Sequence, residues 1–147
     1  MNVRRTIVAV GLLFLCLFLT ACPQSTLSTV SKAVQDIAIG TNSVQTIAIQ
    51  ANQQGLISQA DTATILTVCA QINAADVQAS ALTRNATTLA PGTAATIQGL
   101  LMPLAAAIQT AINSGVGNIK DAKTKTDITA AFALIQTGLA AAEAVLQ

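Results

Sequence analysis

The sequence predicts an all-α protein: a small antiparallel bundle of three to four helices that follows a cleaved amino-terminal signal peptide. Three observations support this fold class. Apolar residues recur at helical spacing along most of the chain. Alanine, the strongest helix former, accounts for 27 of the residues after position 21. Short stretches rich in Gly and Pro separate the periodic segments, and the length of 147 residues suits one domain.

The amino-terminal segment has the order of features that is typical of a targeting sequence. Arg4 and Arg5 precede an apolar run of 13 residues, Ile7–Leu19. That run is too short to span a bilayer core, which takes about 20 residues. We therefore assign residues 1–21 to a signal peptide and leave them out of the fold prediction.

The run ends in Leu19-Thr20-Ala21-Cys22, which resembles the lipobox of bacterial lipoproteins. The resemblance implies cleavage between Ala21 and Cys22 and attachment of lipid, including palmitate-type acyl chains, at Cys22. The membrane is then the first expected partner, because more than one acyl chain gives stable anchoring. Pro23 stands where an Asp would mark inner-membrane retention. The resemblance implies the periplasmic face of the outer membrane in a Gram-negative host, and otherwise the outer face of the plasma membrane.

Residues 22–26 are predicted to form a short lipid-proximal tether, about 14 Å long when extended, and residues 27–147 the bundle domain. The first helix is predicted over Leu27–Asn52. Its predicted buried seam repeats every seven residues and consists of Val30, Ile37, Val44 and Ala51, with Val34 and Ala48 beside them.

A near repeat within this segment leaves a second interpretation open. The hexapeptides 34–39 and 44–49 are almost identical, and a shift of ten residues keeps a strand face but rotates a helix face by about 80°. The turn-like residues Gly40-Thr41-Asn42 would then join two strands. We favour the helix because the rest of the chain offers no sheet. In a helix, Ile39 and Ile49 lie off the seam, where they either touch a third helix or form a partner contact.

Three further helices are predicted after the turn at Gly55. The second runs from about Gln59 to Leu82 or a little beyond, with Ser58 and Asp61 as a capping box. The third covers about Ala94–Asn113, and Pro103 is expected to kink it or divide it into two shorter helices. The last begins between residues 118 and 126 and continues nearly to the end. The apolar faces predicted for the second, third and last helices are, in that order, Ile65, Val68, Cys69, Ile72, Ala75, Ala79 and Leu82; Ile97, Leu100, Leu101, Leu104, Ile108 and Ile112; and Ile128, Phe132, Ile135, Leu139, Ala142 and Leu146.

Few polar residues suggest a specific role. Lys120, Lys123 and Lys125 form a small basic cluster near the start of the last helix. It is either a solvated loop or a contact with anionic lipid head groups. Asp36 and Asp76 are predicted on polar helix faces. Cys69 is predicted to be a small buried hydrophobic residue.

The composition argues against catalysis. The chain has no His, which is the commonest general base and a frequent metal ligand. We find no phosphate loop and no cluster of metal ligands in the sequence, so we expect no enzyme activity, no metal and no cofactor. Nucleic acid is not an expected partner, because the net charge is +1 and Phe132 is the only aromatic residue after position 21.

Two functional hypotheses remain, from different classes. The first is a membrane-anchored envelope lipoprotein with a structural or protein-interaction role, which engages another envelope protein or a second copy of itself. The second is a carrier or sensor of an apolar ligand, in a bundle pocket opened at Pro103. A phage- or prophage-encoded envelope lipoprotein is a third idea that no residue supports specifically.

Overall fold

A computed structural model describes residues 23–147, with side chains from Thr26 onward. Within this range the chain forms four α-helices and one short 3₁₀ turn, and no strand. The predicted all-α fold is confirmed for this part of the chain. The signal peptide, Ala21 and Cys22 lie outside the described residues. The elements are α1 (Pro23–Gln53), α2 (Gln59–Arg84), α3 (Pro91–Ser114), the 3₁₀ turn (Val116–Asn118) and α4 (Ala122–Leu146).

The helices form a ring of antiparallel neighbours. Each helix packs against the next one in sequence, and α4 closes the ring by packing against α1. Among the described helices, the diagonal pairs α1–α3 and α2–α4 have no Cα atoms within 8 Å of each other. Two ends result. The proximal end holds the start of α1, the end of α2, the start of α3 and the end of α4. The distal end holds the 54–58 loop and the 115–121 segment.

Helix α1 is continuous, so the strand interpretation of its near repeat is wrong. All six predicted seam residues are buried. The potential turn Gly40-Thr41-Asn42 is helical, and within the helix the buried Thr41 hydroxyl donates to the Ile37 carbonyl at 2.7 Å. The helix begins at Pro23, four residues before the predicted start. Residues 23–26 therefore rise by only about 6 Å as helix, less than half their extended length.

The interface between α1 and α4 depends on two glycines that face isoleucines reciprocally. A Cβ atom built on Gly40 would lie 2.6 Å from Ile135 Cγ1, and one on Gly138 would lie 3.0 Å from Ile37 Cγ1. Both isoleucines are fully buried. The two helices present the same spacing, Ala-x₃-Ile-x₂-Gly, once from Ala33 and once from residue 131. Each isoleucine thus fills the space that the opposite glycine leaves.

Helix α2 begins and ends close to the predicted positions. Gly55 ends the preceding turn with φ +71°, the left-handed conformation expected of it. Ser58 caps α2, since its hydroxyl accepts from the Asp61 amide at 3.0 Å. The buried face of α2 differs from the predicted one at two places. Leu82 is 36% exposed while Thr83 is buried in its place, and Asp76 is buried, although it was predicted on a polar face.

Helix α3 is a single helix, so its division into two at Pro103 is wrong. Pro103 has no N–H for the Gly99 carbonyl, but both residues lie on the exposed face, where water can satisfy that carbonyl. The helix begins three residues earlier than predicted, with Pro91 in its first turn, a position that tolerates the missing N–H.

Two segments, Pro91–Asn118 and Ala122–Leu146, are long and apolar enough to cross a membrane by length and composition. Core helices of soluble proteins have the same properties. Each of these helices buries one apolar face in the bundle, through residues such as Ile97 and Leu101 in α3 and Phe132 in α4. Length and composition therefore do not place either helix in a bilayer.

The close approach of α1 and α4 predicts the effect of Gly40→Ala. Alanine is the better helix former by about 1 kcal/mol, yet its Cβ would collide with Ile135 and approach the Ala131 carbonyl at 3.2 Å. We expect a net loss of about 1–3 kcal/mol in the free energy of unfolding, measured by denaturant titration. Gly99→Ala is the matched control, because a Cβ there meets nothing within 4 Å. The control should be neutral or stabilising, and equal losses for both variants would contradict the packing argument.

Candidate functional site: surfaces and buried polar groups

The two isoleucines singled out from the sequence lie on the surface. Ile39 is 50% exposed and Ile49 is 43% exposed. About half of each side chain is therefore open to a partner. A shallow depression of about 480 Å³ adjoins Ile39, and all its lining residues belong to α1, including Asn42, Thr46 and Ile47. An offset of ten residues separates the two isoleucines by about 15 Å along the helix.

The exposed side of α3 offers a different kind of surface. No Asp, Glu, Lys or Arg occurs between Arg84 and Lys120. The exposed positions of α3 are mainly Ala, Thr, Gln and Asn, and Met102, 56% exposed, is its one large exposed hydrophobic residue. Isolated apolar side chains are normal on protein surfaces. This face therefore does not single out a binding site.

The predicted basic cluster lies at the distal end of the bundle. All three lysines are exposed. Lys123 pairs with Asp127 at 2.7 Å, a hydrogen bond that raises the pKa of Lys123. The Lys125 ammonium group donates to the Gly117 carbonyl at 3.0 Å. Lys120 lines a distal cavity of about 460 Å³. The 31 residues of α1 span about 46 Å, so the cluster lies far from Pro23.

Carboxylates of the distal cavity are already engaged within the chain. Asp61 accepts from the Ser58 hydroxyl and from Asn118 Nδ2 at 3.0 Å, and these two hydrogen bonds lower the pKa of Asp61. Asp121 caps α4 by accepting from the Thr124 amide at 2.7 Å, which lowers its pKa as well. Because both carboxylates have partners, they stabilise the loops and leave no unsatisfied group for a ligand.

Asp76 differs from the other acidic residues. Its side chain is 8% exposed, and Oδ1 is buried without a hydrogen-bond partner. Burial raises the pKa of Asp76 from 3.8 to about 6, because removing the charged carboxylate from water costs more free energy than removing the neutral acid. Asp76 lines a cavity of about 340 Å³ between α1 and α2, together with Gln35, Ser80 and Arg84. Sequence analysis missed this site.

Cys69 is fully buried and free, as predicted. Desolvation raises the pKa of its thiol to about 12, so the nucleophilic thiolate is suppressed. No group of three or more potential metal ligands occurs among residues 23–147. Phe132, the aromatic residue of this range, is fully buried and offers no stacking surface.

The apolar-ligand hypothesis placed its pocket at Pro103. Five surface cavities occur at the distal loops, along α1 and in the α1–α2 groove, and residues of α3 line none of these five. Pro103 itself is exposed. These five cavities therefore do not support a pocket at Pro103.

Comparison of the chain with protein-family models gave no match, and comparisons with curated proteins and with solved structures gave none either. The fold and the side chains described above are therefore the basis for the functional argument.

The buried carboxylate predicts a pH-dependent gain in stability for Asp76→Asn. The folded state holds the Asp76 proton up to about pH 6, whereas the unfolded chain releases it near pH 3.8. The contribution of Asp76 to the free energy of unfolding is therefore fully present below pH 3.8 and is lost as the pH rises to about 6. At pH 7.5 the isosteric amide should raise the free energy of unfolding by about 2 kcal/mol.

Denaturant titrations of both proteins at pH 7.5 and at pH 3.5 test this expectation. The difference between the wild-type protein and the variant should disappear at the lower pH, where both side chains are neutral. Asp36→Asn is the control, because Asp36 lies half-buried on α1 outside this cavity. A stability difference that is the same at both pH values would contradict the assigned burial effect.

Proposed function

We propose that the protein is a small membrane-anchored envelope lipoprotein with a structural or protein-interaction role. The lipobox resemblance supports the anchor at Cys22, and the exposure of Ile39 and Ile49 on α1 supports the interaction. The observation that carries the proposal is this pair of isoleucines, because α1 buries the residues of its seam and leaves these two, which lie off the seam, about half exposed.

The orientation of the bundle follows from the proposed anchor. Helix α1 starts one residue after Cys22, so the proximal end would lie at the membrane and the distal end would point away from it. Lys120, Lys123 and Lys125 would then reach anionic head groups of the same membrane only if the bundle lay flat. An upright bundle presents α1, including Ile39 and Ile49, to neighbouring proteins in the envelope.

The anchor is tested by Cys22→Ala. We expect the wild-type chain to fractionate with membranes and to incorporate a fatty-acid analogue, and the variant to lose both, because the thiol that accepts the lipid is absent. Cys69→Ala is the matched control, since Cys69 is buried in the bundle core and should not carry lipid. An unlabelled wild-type chain, or label that persists in the Cys22 variant, would refute the anchor.

The interaction surface is tested by photo-crosslinking in intact cells. A benzoylphenylalanine placed at Ile39 or Ile49 should give discrete adducts, because these side chains are exposed and apolar. The same probe at Thr96, an exposed position on α3, is the control and should give none. Adducts of twice the chain mass would indicate self-association, and other masses a different partner. Equal yields at all three positions, or no adduct, would contradict the proposed surface.

A further inference from the structure

Two adjoining cavities form a continuous groove between α1 and α2 at the proximal end, which we call the proximal groove. They share Ser31, Thr83 and Arg84. The inner cavity, of about 340 Å³, contains Asp76, and the outer cavity, of about 800 Å³, opens beside Leu27. The complete lining is Leu27, Ser28, Ser31, Val34, Gln35, Ala38, Asp76, Ser80, Thr83, Arg84, Ala86 and Thr87.

Asp76 is the feature of this groove that requires an explanation. It is more than nine-tenths buried, its Oδ1 has no donor, and it costs stability at neutral pH. Packing does not require a carboxylate there, because neighbouring positions of the α2 face are filled by Ile72, Ala75 and Ala79. A ligand that brings a cationic hydrogen-bond donor to this carboxylate would offset the cost of burying its charge.

The other lining residues specify the chemistry of that ligand. Arg84, the second charged residue of the lining, is exposed at the place where the two cavities meet. It offers a guanidinium group to an anion. Val34 and Ala38 give an apolar wall beside Asp76 that suits methylene groups. The groove therefore combines an inner acceptor, an apolar wall and an outer cation.

We propose that the proximal groove binds a zwitterionic amine, with a primary ammonium group donating to the Asp76 carboxylate and an anionic group, such as a phosphate, on Arg84. A short aliphatic linker between the two charges lies against Val34 and Ala38. Phosphoethanolamine has this chemistry, either as a free compound or as a lipid head group. A quaternary ammonium carries the same charge but has no N–H to donate, so it should bind poorly. The site does not depend on acylation of Cys22.

The test is an NMR titration of the full ¹⁵N-labelled chain in dodecyl maltoside micelles at pH 7.5. Soluble O-phosphoethanolamine should give saturable shifts of the Gln35 and Ser80 amide signals. Phosphocholine should bind at least tenfold more weakly. Asp76→Asn should weaken phosphoethanolamine binding at least tenfold, and this variant is expected to fold because it removes a destabilising charge. Arg84→Gln should weaken phosphoethanolamine but leave ethylammonium binding unchanged.

A second arm of the experiment distinguishes the two sources of the ligand. Micelles doped with phosphatidylethanolamine, compared with micelles doped with phosphatidylcholine, present the group as a lipid. Shifts in this arm alone would assign the groove to a lipid head group, and shifts in both arms would support the shared chemistry. Asp36→Asn is the matched control and should bind like the wild-type chain.

Three results would overturn the proposal. They are equal binding of phosphoethanolamine and phosphocholine, undiminished binding by Asp76→Asn, and the absence of shifts with both the soluble compound and the doped micelles. Since none of these measurements involves Cys22 lipidation or crosslinking at Ile39, failure here would leave the proposed function to its own tests.

Discussion

The reciprocal contact of two glycines and two isoleucines is the constraint on which the bundle depends. Ile135 occupies the space beside Gly40, and Ile37 occupies the space beside Gly138. Alanine and isoleucine make up most of the rest of the core, and each alanine buries little apolar area. A chain of this composition gains stability by bringing helix backbones close together, so that many small contacts add up. The α1–α4 interface is accordingly the most extensive in the molecule.

Hydrophobic periodicity was sufficient to predict the helices and most of the core, because it depends on local spacing alone. It placed Val30, Ile37 and Val44 correctly. The glycine contacts were missed because a single Gly within a periodic segment suggests a turn, and only the identical Ala-x₃-Ile-x₂-Gly spacing in two helices could have indicated a shared interface. Asp76 lies four residues after Ile72 and three before Ala79, so its spacing already placed it on the buried face. The prediction nevertheless placed Asp76 on a polar face, because its side chain is charged.

The position of the basic cluster could not be predicted from the sequence, for a different reason. Residue spacing identifies Lys120, Lys123 and Lys125 as neighbours, but which end of a bundle they occupy depends on how many helices precede them and on how the ring closes. Three helices, an odd number of crossings, precede α4, so the cluster lies at the end away from Pro23. The polar groups near the proposed anchor are instead those of the proximal groove. The exposed isoleucines of α1 and the groove between α1 and α2 thus differ in chemistry, since the first surface is apolar and the second holds a buried carboxylate.

The ring closure also has a consequence for the order in which the chain can acquire its structure. Gly40 and Ile135 are 95 positions apart, yet they belong to the tightest interface. During synthesis, which proceeds from the amino end, α1 can pair only with α2 until residues 131–138 have emerged. Closing so long a loop adds an entropic barrier to the last step of assembly. Folding is therefore completed by the last helix, and a chain that stops before Gly138 lacks the partner that its first helix requires.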